Sequence, residues 1–166
     1  MLRVQARDTE VIMNKAAILE RPRAREILQG LQQTSRELCK SLAHRLGISP
    51  STIVRVRQRA KDEGVIRGTY TVLEPSKLGL HVLAFFRVFC QSSTNAKEVA
   101  ERLARDSRFM EIHVMSGPHH LLVKARAHDN KSLLDIKYDI AEIEGVKSVA
   151  VDVALGILKE TLALPI

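Results

Sequence analysis

The sequence contains little cysteine and no long apolar stretch, and each absence excludes a class of protein. Cys39 and Cys90 are its two cysteines, and neither belongs to a CxxC or Cys/His pattern. We therefore expect two reduced structural thiols and exclude a zinc finger. No apolar stretch approaches the roughly 20 residues of a membrane span, and the N-terminus lacks the apolar core of a signal peptide. A cytoplasmic protein is expected.

Acidic residues are outnumbered twofold by basic ones in the first part of the chain, although the overall hydrophobic content of 45% is ordinary for a globular protein. Residues 1–70 contain 14 Lys and Arg against 7 Asp and Glu, whereas residues 71–166 contain 12 of each kind. The whole net charge of +7 (14 − 7) therefore lies in the first half. This asymmetry indicates that one half meets a polyanion while the other half has a different task.

A helix, a tight turn and a second helix are predicted around residues 46–64. Gly47 can take the left-handed conformation that ends one helix, Ser49 can cap the next, and Pro50 suits its first turn. This second helix is expected to run from about Pro50 to Glu63, and Gly64 then ends it. One face of the helix is apolar and can pack, while the opposite face offers Ser, Thr, Arg and Gln side chains. These side chains suit contacts with bases and phosphates in the major groove of DNA.

The candidate DNA-binding residues lie on or beside this polar face. They are Ser49, Ser51, Thr52, Arg55, Gln58, Arg59 and Lys61. Arg55 with Ser51 or Thr52 is expected to reach base edges. Arg59 and Lys61 are expected chiefly to meet phosphate. The alternative is a solvated helix with ordinary surface charge, but the charge asymmetry and the preceding helices favour double-stranded DNA as the partner.

Two further helices are predicted upstream of this motif. Residues 23–32 carry apolar side chains at helical spacing, and Thr34 with Glu37 has the form of a capping box that opens the next helix. Three short helices in succession form a compact DNA-binding unit, which we assign to residues 22–73, with its last five residues as a short strand or wing. Residues 1–21 form an N-terminal extension: an extra helix packed on the motif or on a partner subunit, or a partly ordered arm.

Beyond a linker at residues 74–79, the hydrophobic period changes to strand alternation. Apolar patterns in residues 80–166 predict the order βαββαβ, which is typical of a ferredoxin-like sandwich with both helices on one face of an antiparallel sheet. The first strand, residues 81–90, is apolar on both faces, so the face without helices favours contact with a second subunit. The predicted fold is α+β: an N-terminal three-helix winged helix-turn-helix domain plus a C-terminal ferredoxin-like domain.

The order of these elements and several short motifs resemble the Lrp/AsnC family, the feast/famine transcriptional regulators. The likeness is carried by Leu42-Ala43, Arg45 to Thr52, Glu63 to Ile66, Leu73-Glu74-Pro75 and Lys77 to Leu80. It covers about residues 23–161. The resemblance implies a DNA-binding regulator. We expect no enzyme activity, metal or cofactor, and a place of action at the nucleoid. The resemblance also implies a homodimer formed through the C-terminal domain that can assemble to a tetramer or octamer, with an amino-acid effector between dimers in many members.

The chain departs from the family pattern at three places, two of them in the helical half. Arg57 stands where family members usually carry an apolar residue, so either packing shifts onto Val56 or Arg57 lies at the edge of the core. Arg23 and Ala24 replace an acidic residue often found near the start of the first helix. The third departure falls in the C-terminal domain, where the resemblance places the effector site.

The effector site of the family lies beside a turn that commonly has a glycine followed by an acidic, an aromatic and an acidic residue. This chain has Gly117, Pro118, His119 and His120 there, and these four are the candidate effector-binding residues. Gly117 is expected to supply the tight backbone geometry that a ligand approach requires. Without carboxylates to hold an ammonium group, a standard amino acid is expected to bind weakly or not at all, so an anionic ligand or pH is favoured.

Three interpretations of the histidines and two alternative functions stay open. His113, His119 and His120 are solvated side chains at a turn, an altered ligand pocket, or part of a metal site, although nothing in the spacing brings Glu111 and His113 to the turn. Haem-biosynthesis decarboxylases share the two-domain arrangement, so a tetrapyrrole-handling enzyme is one alternative. A DNA-organising protein without a specific operator is the other, because phosphate contacts supply much of the affinity in both cases.

Overall fold

The chain divides into two compact units. The computed structural model describes residues 16–33 and 39–166 of the protein. Its described residues up to Val72 form a helical unit together with residues 159–166, and residues 73–158 form a sheet unit. The sequence predicts that residues 80–166 form the second domain. Residues 159–166 instead group with the helices.

The helical unit contains a short 3-10 helix followed by three α-helices. They are the 3-10 helix Ala17–Glu20, α1 (Ala24–Gln33), α2 (Cys39–Leu46) and α3 (Pro50–Asp62). The helices predicted at residues 23–32 and 50–63 are confirmed, with ends that differ by one residue. The capping box predicted at Thr34 and Glu37 lies outside the described residues, as do residues 1–15.

Buried apolar side chains from each of these helices form the core of the helical unit. Ile18, Ile27, Leu42 and Ile53 are fully or almost fully buried in it. Ile18 belongs to the 3-10 helix, so the segment before α1 packs on the helical motif, which was one of the alternatives for the N-terminal extension. Ile166 also packs against this core, which explains why the last residues group with the helices.

The short strand or wing expected at residues 69–73 is not formed within the part of the chain that the structure describes. These residues adopt no regular secondary structure, and Tyr70, Val72 and Leu73 are exposed. β-Branched and aromatic side chains favour a strand chiefly because they pack against neighbouring strands. No described strand pairs with this segment, so its composition alone does not produce one.

The sheet unit has the predicted order of strands and helices. After the 3-10 helix Pro75–Leu78 come β1 (Val82–Cys90), α4 (Ser93–Leu103), β2 (Phe109–Val114), β3 (Leu121–Ala127), α5 (Asn130–Ala141) and β4 (Val146–Val153). The four strands form a sheet in the order β2-β3-β1-β4, and each neighbouring pair is antiparallel. The predicted ferredoxin-like βαββαβ arrangement is confirmed.

The two faces of β1 differ more than the sequence pattern indicated. Ala84, Phe86 and Val88 are fully buried in a core that also contains side chains of α4 and α5. The opposite face carries half-buried Phe85 and Phe89, but Arg87 stands between them and donates from Nη2 to Asp152 Oδ1 of β4 at 3.0 Å. On the neighbouring strands Lys124 lies on the same face, with its Nζ 3.0 Å from Glu111 Oε1. This face is therefore mixed apolar and charged rather than apolar throughout.

Candidate nucleic-acid interface

The turn between α2 and α3 has the geometry that its residues predict. Gly47 has a φ of 63°, a left-handed conformation that a residue with a Cβ adopts only at a cost. Ser49 caps α3, because its Oγ accepts a hydrogen bond from the Thr52 N–H at 3.2 Å, and Pro50 occupies the first turn of the helix. The two helices are thus joined by residues 47–49, of which Gly47 ends α2 and Ser49 caps α3.

Helix α3 buries one face and exposes the other. Ile53, Val56 and Ala60 are buried in the helical core, whereas Arg55 and Gln58 are exposed. The helix is followed by Gly64, which has a φ of 70° as expected for a residue just beyond a helix end. Arg57 stands where family members usually carry an apolar residue. Val56 packs in the core in its place, and Arg57 is half-buried, so both the shift of packing onto Val56 and a position of Arg57 at the edge of the core describe part of what is found.

Three hydroxyl groups cluster at the N-terminal end of α3. Ser49 Oγ lies 2.9 Å from Ser51 Oγ and 2.8 Å from Thr52 Oγ1. Ser49 is already engaged as the helix cap, while Ser51 is exposed and Thr52 is half-buried. Hydroxyl groups can contact either phosphate oxygens or base edges. This end of α3 therefore offers hydroxyls to either part of a nucleic acid.

The polar side chains on the exposed face of α3 differ in whether they already have a partner. Among the described residues Arg55 and Lys61 form no side-chain hydrogen bond or ion pair, and both are exposed. Gln58 Nε2 donates to Asp62 Oδ1 at 2.8 Å, and Arg59 Nε donates to Glu63 Oε1 at 2.7 Å. Arg55 is thus the arginine of this face whose whole donor fork is available.

A shallow surface depression runs along α3 and brings most of these side chains together. It is lined by Ser51, Val54, Arg55, Gln58, Arg59, Asp62 and Glu63. Of the predicted residues, Ser49, Thr52 and Lys61 lie outside this lining. The sequence interpretation missed the two carboxylates, although both are spaced i,i+4 from a candidate residue, which is the spacing of side-chain pairs on a helix.

Glu63 is held by two donors at once. The hydrogen bond from Arg59 and then the one from the Ile18 backbone N–H, at 2.8 Å, hold the pKa of Glu63 below its usual range. The carboxylate is therefore ionised at neutral pH and bridges the segment before α1 to the C-terminal turn of α3. Negative charge at a helix C-terminus is unfavourable to the helix dipole, so these two bonds offset a local cost.

The Gly117–His120 turn in the sheet unit differs from its expected form. Gly117 has no positive φ, and apart from its chain neighbours no atom lies within 4 Å of the place where a Cβ would stand, so the described chain itself does not require glycine there, and the ligand approach stays a prediction. His120 Nδ1 accepts a hydrogen bond from the Cys90 N–H at 3.1 Å, at the point where the β1–β4 register shifts. His119 is half-buried and packs edge-on against Phe89, with ring centroids 6.2 Å apart.

The histidine interpretations can be compared with this geometry. His119 and His120 are half-buried, so neither is a freely solvated turn side chain, and His120 is committed to the strand backbone through its acceptor nitrogen. His113 is exposed, with its Nε2 3.1 Å from Glu111 Oε2. No group of three His, Cys, Asp or Glu residues that could hold a metal ion is found among the described residues.

No described helix is long and apolar enough to cross a membrane.

The protein has a helix-turn-helix whose second helix exposes a polar, basic face, and the same chain continues into a ferredoxin-like sheet unit. These features assign it to the class of two-domain helix-turn-helix proteins. Comparison with known proteins narrows the class. Residues 83–164 match the model of the Lrp/AsnC ligand binding domain. An HTH-type transcriptional regulator of Pyrococcus horikoshii is 31% identical over 141 residues, which cover 83% of this chain and 94% of that protein. The chain belongs to the Lrp/AsnC family.

Two further comparisons agree with this assignment. The HTH-type transcriptional regulator FL11 of Pyrococcus furiosus is 27% identical over 142 residues, covering 86% of this chain and 93% of its own length. The crystal structure of a transcriptional regulator of Neisseria meningitidis in complex with L-Met matches with a TM-score of 0.82 and 25% identity, covering 87% of this chain and 96% of that chain. These relatives are regulators of transcription, and the alternative of a tetrapyrrole decarboxylase is not favoured.

Proposed function

We propose that the protein is a transcriptional regulator of the Lrp/AsnC type that binds double-stranded DNA through α3. The single observation that carries this proposal is the division of α3 into a buried apolar face and an exposed face with Arg55, Gln58 and Arg59. The surplus of positive charge in the first half of the chain supports it, because positive residues draw a protein towards DNA. The names of the relatives support it as well.

The residues of this face have different tasks in the proposal. Arg55 has its full donor fork available, so it reads base edges together with Ser51 or Thr52. Arg59 and Lys61 meet phosphate. Ser49 acts mainly as the helix cap, and Gln58 reaches the DNA from its hydrogen bond with Asp62.

The proposal assigns DNA binding to the helical unit and assembly to the sheet unit. The sheet face opposite α4 and α5 carries Phe85 and Phe89, and a second subunit on this face gives a homodimer that presents two α3 helices to two half-sites. Arg87 and Asp152 on the same face set the register of that contact through charge. Further assembly to tetramers or octamers follows the family pattern, and the place of action is the nucleoid.

The proposed effector differs from the amino acids that many family members bind. The Neisseria relative was crystallised with L-Met. In this chain the Gly117–His120 turn offers histidines and no carboxylate, so it lacks the groups that hold an ammonium. An anionic ligand, or no ligand at all, fits this turn better than a standard amino acid.

Selection of bound sequences from a random pool of DNA duplexes tests the proposed function. A single enriched palindrome is the expected result for a dimeric regulator with two half-sites. Binding without any enriched motif would favour the alternative of a DNA-organising protein. An Arg55→Ala variant run in parallel is the control, because it should still bind but enrich a weaker motif.

A further inference from the structure

We propose that Glu63 is a positioning residue for DNA recognition, which orients Arg59 by fixing one edge of its guanidinium group. The inference rests on the proposed function of α3. Glu63 would not contact DNA itself. It would act through Arg59, whose phosphate contact sets the register in which Arg55 meets the bases.

The carboxylate of Glu63 is anchored more firmly than an ordinary surface carboxylate. Its Oε2 accepts a hydrogen bond at 2.8 Å from the backbone N–H of Ile18, a fully buried residue of the helical core. The Glu63 side chain is 22% exposed, against 45% for Arg59. A carboxylate bound to the backbone N–H of a buried residue does not follow the rotamers of its partner, so it defines where that partner lies.

The second oxygen of Glu63 then fixes Arg59. Oε1 accepts from Arg59 Nε at 2.7 Å, and within the described part of the chain the Nη1 and Nη2 groups of Arg59 have no partner. The guanidinium is planar, so holding its Nε edge sets the direction of the remaining four N–H donors. Arg59 therefore presents a pre-oriented fork, and less rotamer entropy is lost when it binds a phosphate.

The same contact limits indiscriminate binding. Glu63 places a negative charge beside Arg59, so the pair carries no net charge towards the DNA backbone. Freed of this partner, Arg59 can follow phosphates in several registers, and its full charge adds to the release of counterions. The pair thus lowers the affinity for DNA of any sequence but fixes the register of the phosphate contact. A fixed register is what discrimination between DNA sequences requires.

Replacement of the carboxylate by its amide separates these effects. Glu63→Gln has the same size and keeps an oxygen that can accept from the Ile18 N–H, but it loses the charge that holds Arg59. We expect tighter binding of the full-length variant to random duplex, with a salt dependence steeper by about one unit. We expect the ratio of affinities for selected and random DNA to fall about fivefold or more.

A double-mutant cycle with Arg59→Ala tests whether Glu63 acts through Arg59. In the Arg59→Ala background, Glu63→Gln should leave the ratio of selected to random affinity unchanged, because no guanidinium remains to be oriented. Glu26→Gln is the control for net charge, since Glu26 of α1 pairs with Arg23, the residue before that helix, and not with α3. This control should leave the ratio unchanged in both backgrounds. A ratio that Glu63→Gln leaves intact, or lowers equally in both backgrounds, overturns the inference.

A measurement without DNA distinguishes the inference from the proposed function. The Nε–H resonance of Arg59 should be resolved and slow to exchange in the wild type, and averaged with the solvent-exposed arginines in Glu63→Gln. Wild-type protein that shows this resonance but binds no duplex overturns the proposed function, and the inference with it. Binding without sequence preference also overturns the inference, because no register is then selected. Unaltered resonances in Glu63→Gln overturn the inference alone.

Discussion

Gln32 and Leu164, which lie 132 positions apart in the sequence, exchange two hydrogen bonds between a side-chain amide and a backbone peptide. The Leu164 N–H donates to Gln32 Oε1 at 2.6 Å, and Gln32 Nε2 donates to the Leu164 carbonyl at 3.1 Å. Gln29 Nε2 donates to the carbonyl of Ile166, whose side chain packs against the helical core. One exposed side of α1 therefore binds residues that follow the sheet unit in the sequence.

Loss of this contact should destabilise the helical unit. Gln32→Ala removes two hydrogen bonds at the surface and is expected to cost about 1 kcal/mol of unfolding free energy. Deletion of residues 159–166 should cost more, because it also removes the packing of Ile166. Urea unfolding measures both changes, and Gln33→Ala is the matched control on the same helix, expected within about 0.5 kcal/mol of wild type. If Gln32→Ala and Gln33→Ala were equally stable, the contact would contribute nothing in solution.

Arg23 is expected to tolerate glycine better than its neighbours do. Its φ of 64° is left-handed, which costs a residue with a Cβ about 1–2 kcal/mol. Arg23→Gly relieves this cost but loses the exposed pair with Glu26 and adds freedom to the unfolded chain. The expected unfolding free energy is between unchanged and about 1 kcal/mol higher, as measured by thermal or urea unfolding. Arg25→Gly, an ordinary helical position of α1, should lose about 1 kcal/mol; equal losses at both positions would contradict the backbone argument.

Sequence reasoning located those features that depend on neighbouring residues. The turn at Gly47, the cap at Ser49 and the buried face with Ile53 each follow from signals within a few positions. By contrast, the hydrogen bond from the Ile18 N–H to Glu63 joins residues 45 positions apart. Nothing in local periodicity indicates that a backbone N–H before α1 needs an acceptor from α3.

The candidate site shows the same limit. The sequence selected Arg59 correctly as an exposed residue of α3, but it treated the arginine as free and overlooked its partner Glu63. Likewise it read His120 as a ligand group, because the β1–β3 pairing ends at Val88 and Leu121 and leaves the Cys90 N–H to be satisfied, which is visible only once the strands are paired. Whether a side chain is free to bind a ligand depends on the partners that it already has within the folded chain, and these partners cannot be read from the sequence.

The sheet unit should lose stability in acid partly through Asp106. The hydrogen bond from the Arg108 side chain holds the pKa of Asp106 below the usual value of 3.8. A carboxyl group whose pKa is lower in the folded state stabilises the fold above its unfolded pKa, and this contribution is lost as the pH falls below 3.8 towards the lower folded value. Arg108→Ala should therefore reduce the slope of unfolding free energy against pH in that acidic range.

The slope separates this effect from lost packing. Arg108 also lies over the Phe109 ring, 5.8 Å from its centroid, and bonds to Asp139. Loss of the ring contact lowers stability equally at every pH. Urea unfolding from about pH 5 to about pH 2.5 should show the reduced slope in Arg108→Ala. Arg105→Ala, an exposed neighbour, should keep the wild-type slope, and a parallel shift of the whole curve in Arg108→Ala would refute the assignment.

Arg55 and Lys61 should respond differently to substitution. Arg55→Ala is expected to cost about 1–3 kcal/mol of binding free energy on the selected sequence and to relax sequence preference, because its free fork reads base edges. Lys61→Ala should weaken binding to all sequences alike and reduce the salt slope by about one unit. Binding titrations on selected and random duplexes at several salt concentrations measure both. An equal loss on the two DNAs for Arg55→Ala would count against base reading.

The turn at Gly117 to His120 should bind standard amino acids weakly or not at all. It contains no carboxylate, so an amino acid would lose charge-assisted hydrogen bonds to its ammonium group, each worth roughly 1.5–3 kcal/mol, or about tenfold or more in affinity. The structure adds a second reason, because His120 Nδ1 is already occupied by the Cys90 N–H. His119 is the remaining histidine of the turn, and its Nε2 is buried without a hydrogen-bond partner among the described residues.

Calorimetry of the full-length protein with each of the twenty amino acids tests this prediction, and the choice of variant decides what a positive result means. His120→Ala would disturb the backbone of β1, so loss of binding in that variant could come from altered structure. His119→Gln leaves the Cys90 bond in place, and His81→Gln, exposed at the start of the sheet unit, serves as the control. Weak or undetectable heats are expected for all twenty. A dissociation constant in the micromolar range for any of them, lost in His119→Gln and kept in His81→Gln, would contradict the prediction. It would show that the turn binds an amino acid although it has no carboxylate side chain, so that other groups hold the ammonium group of the ligand.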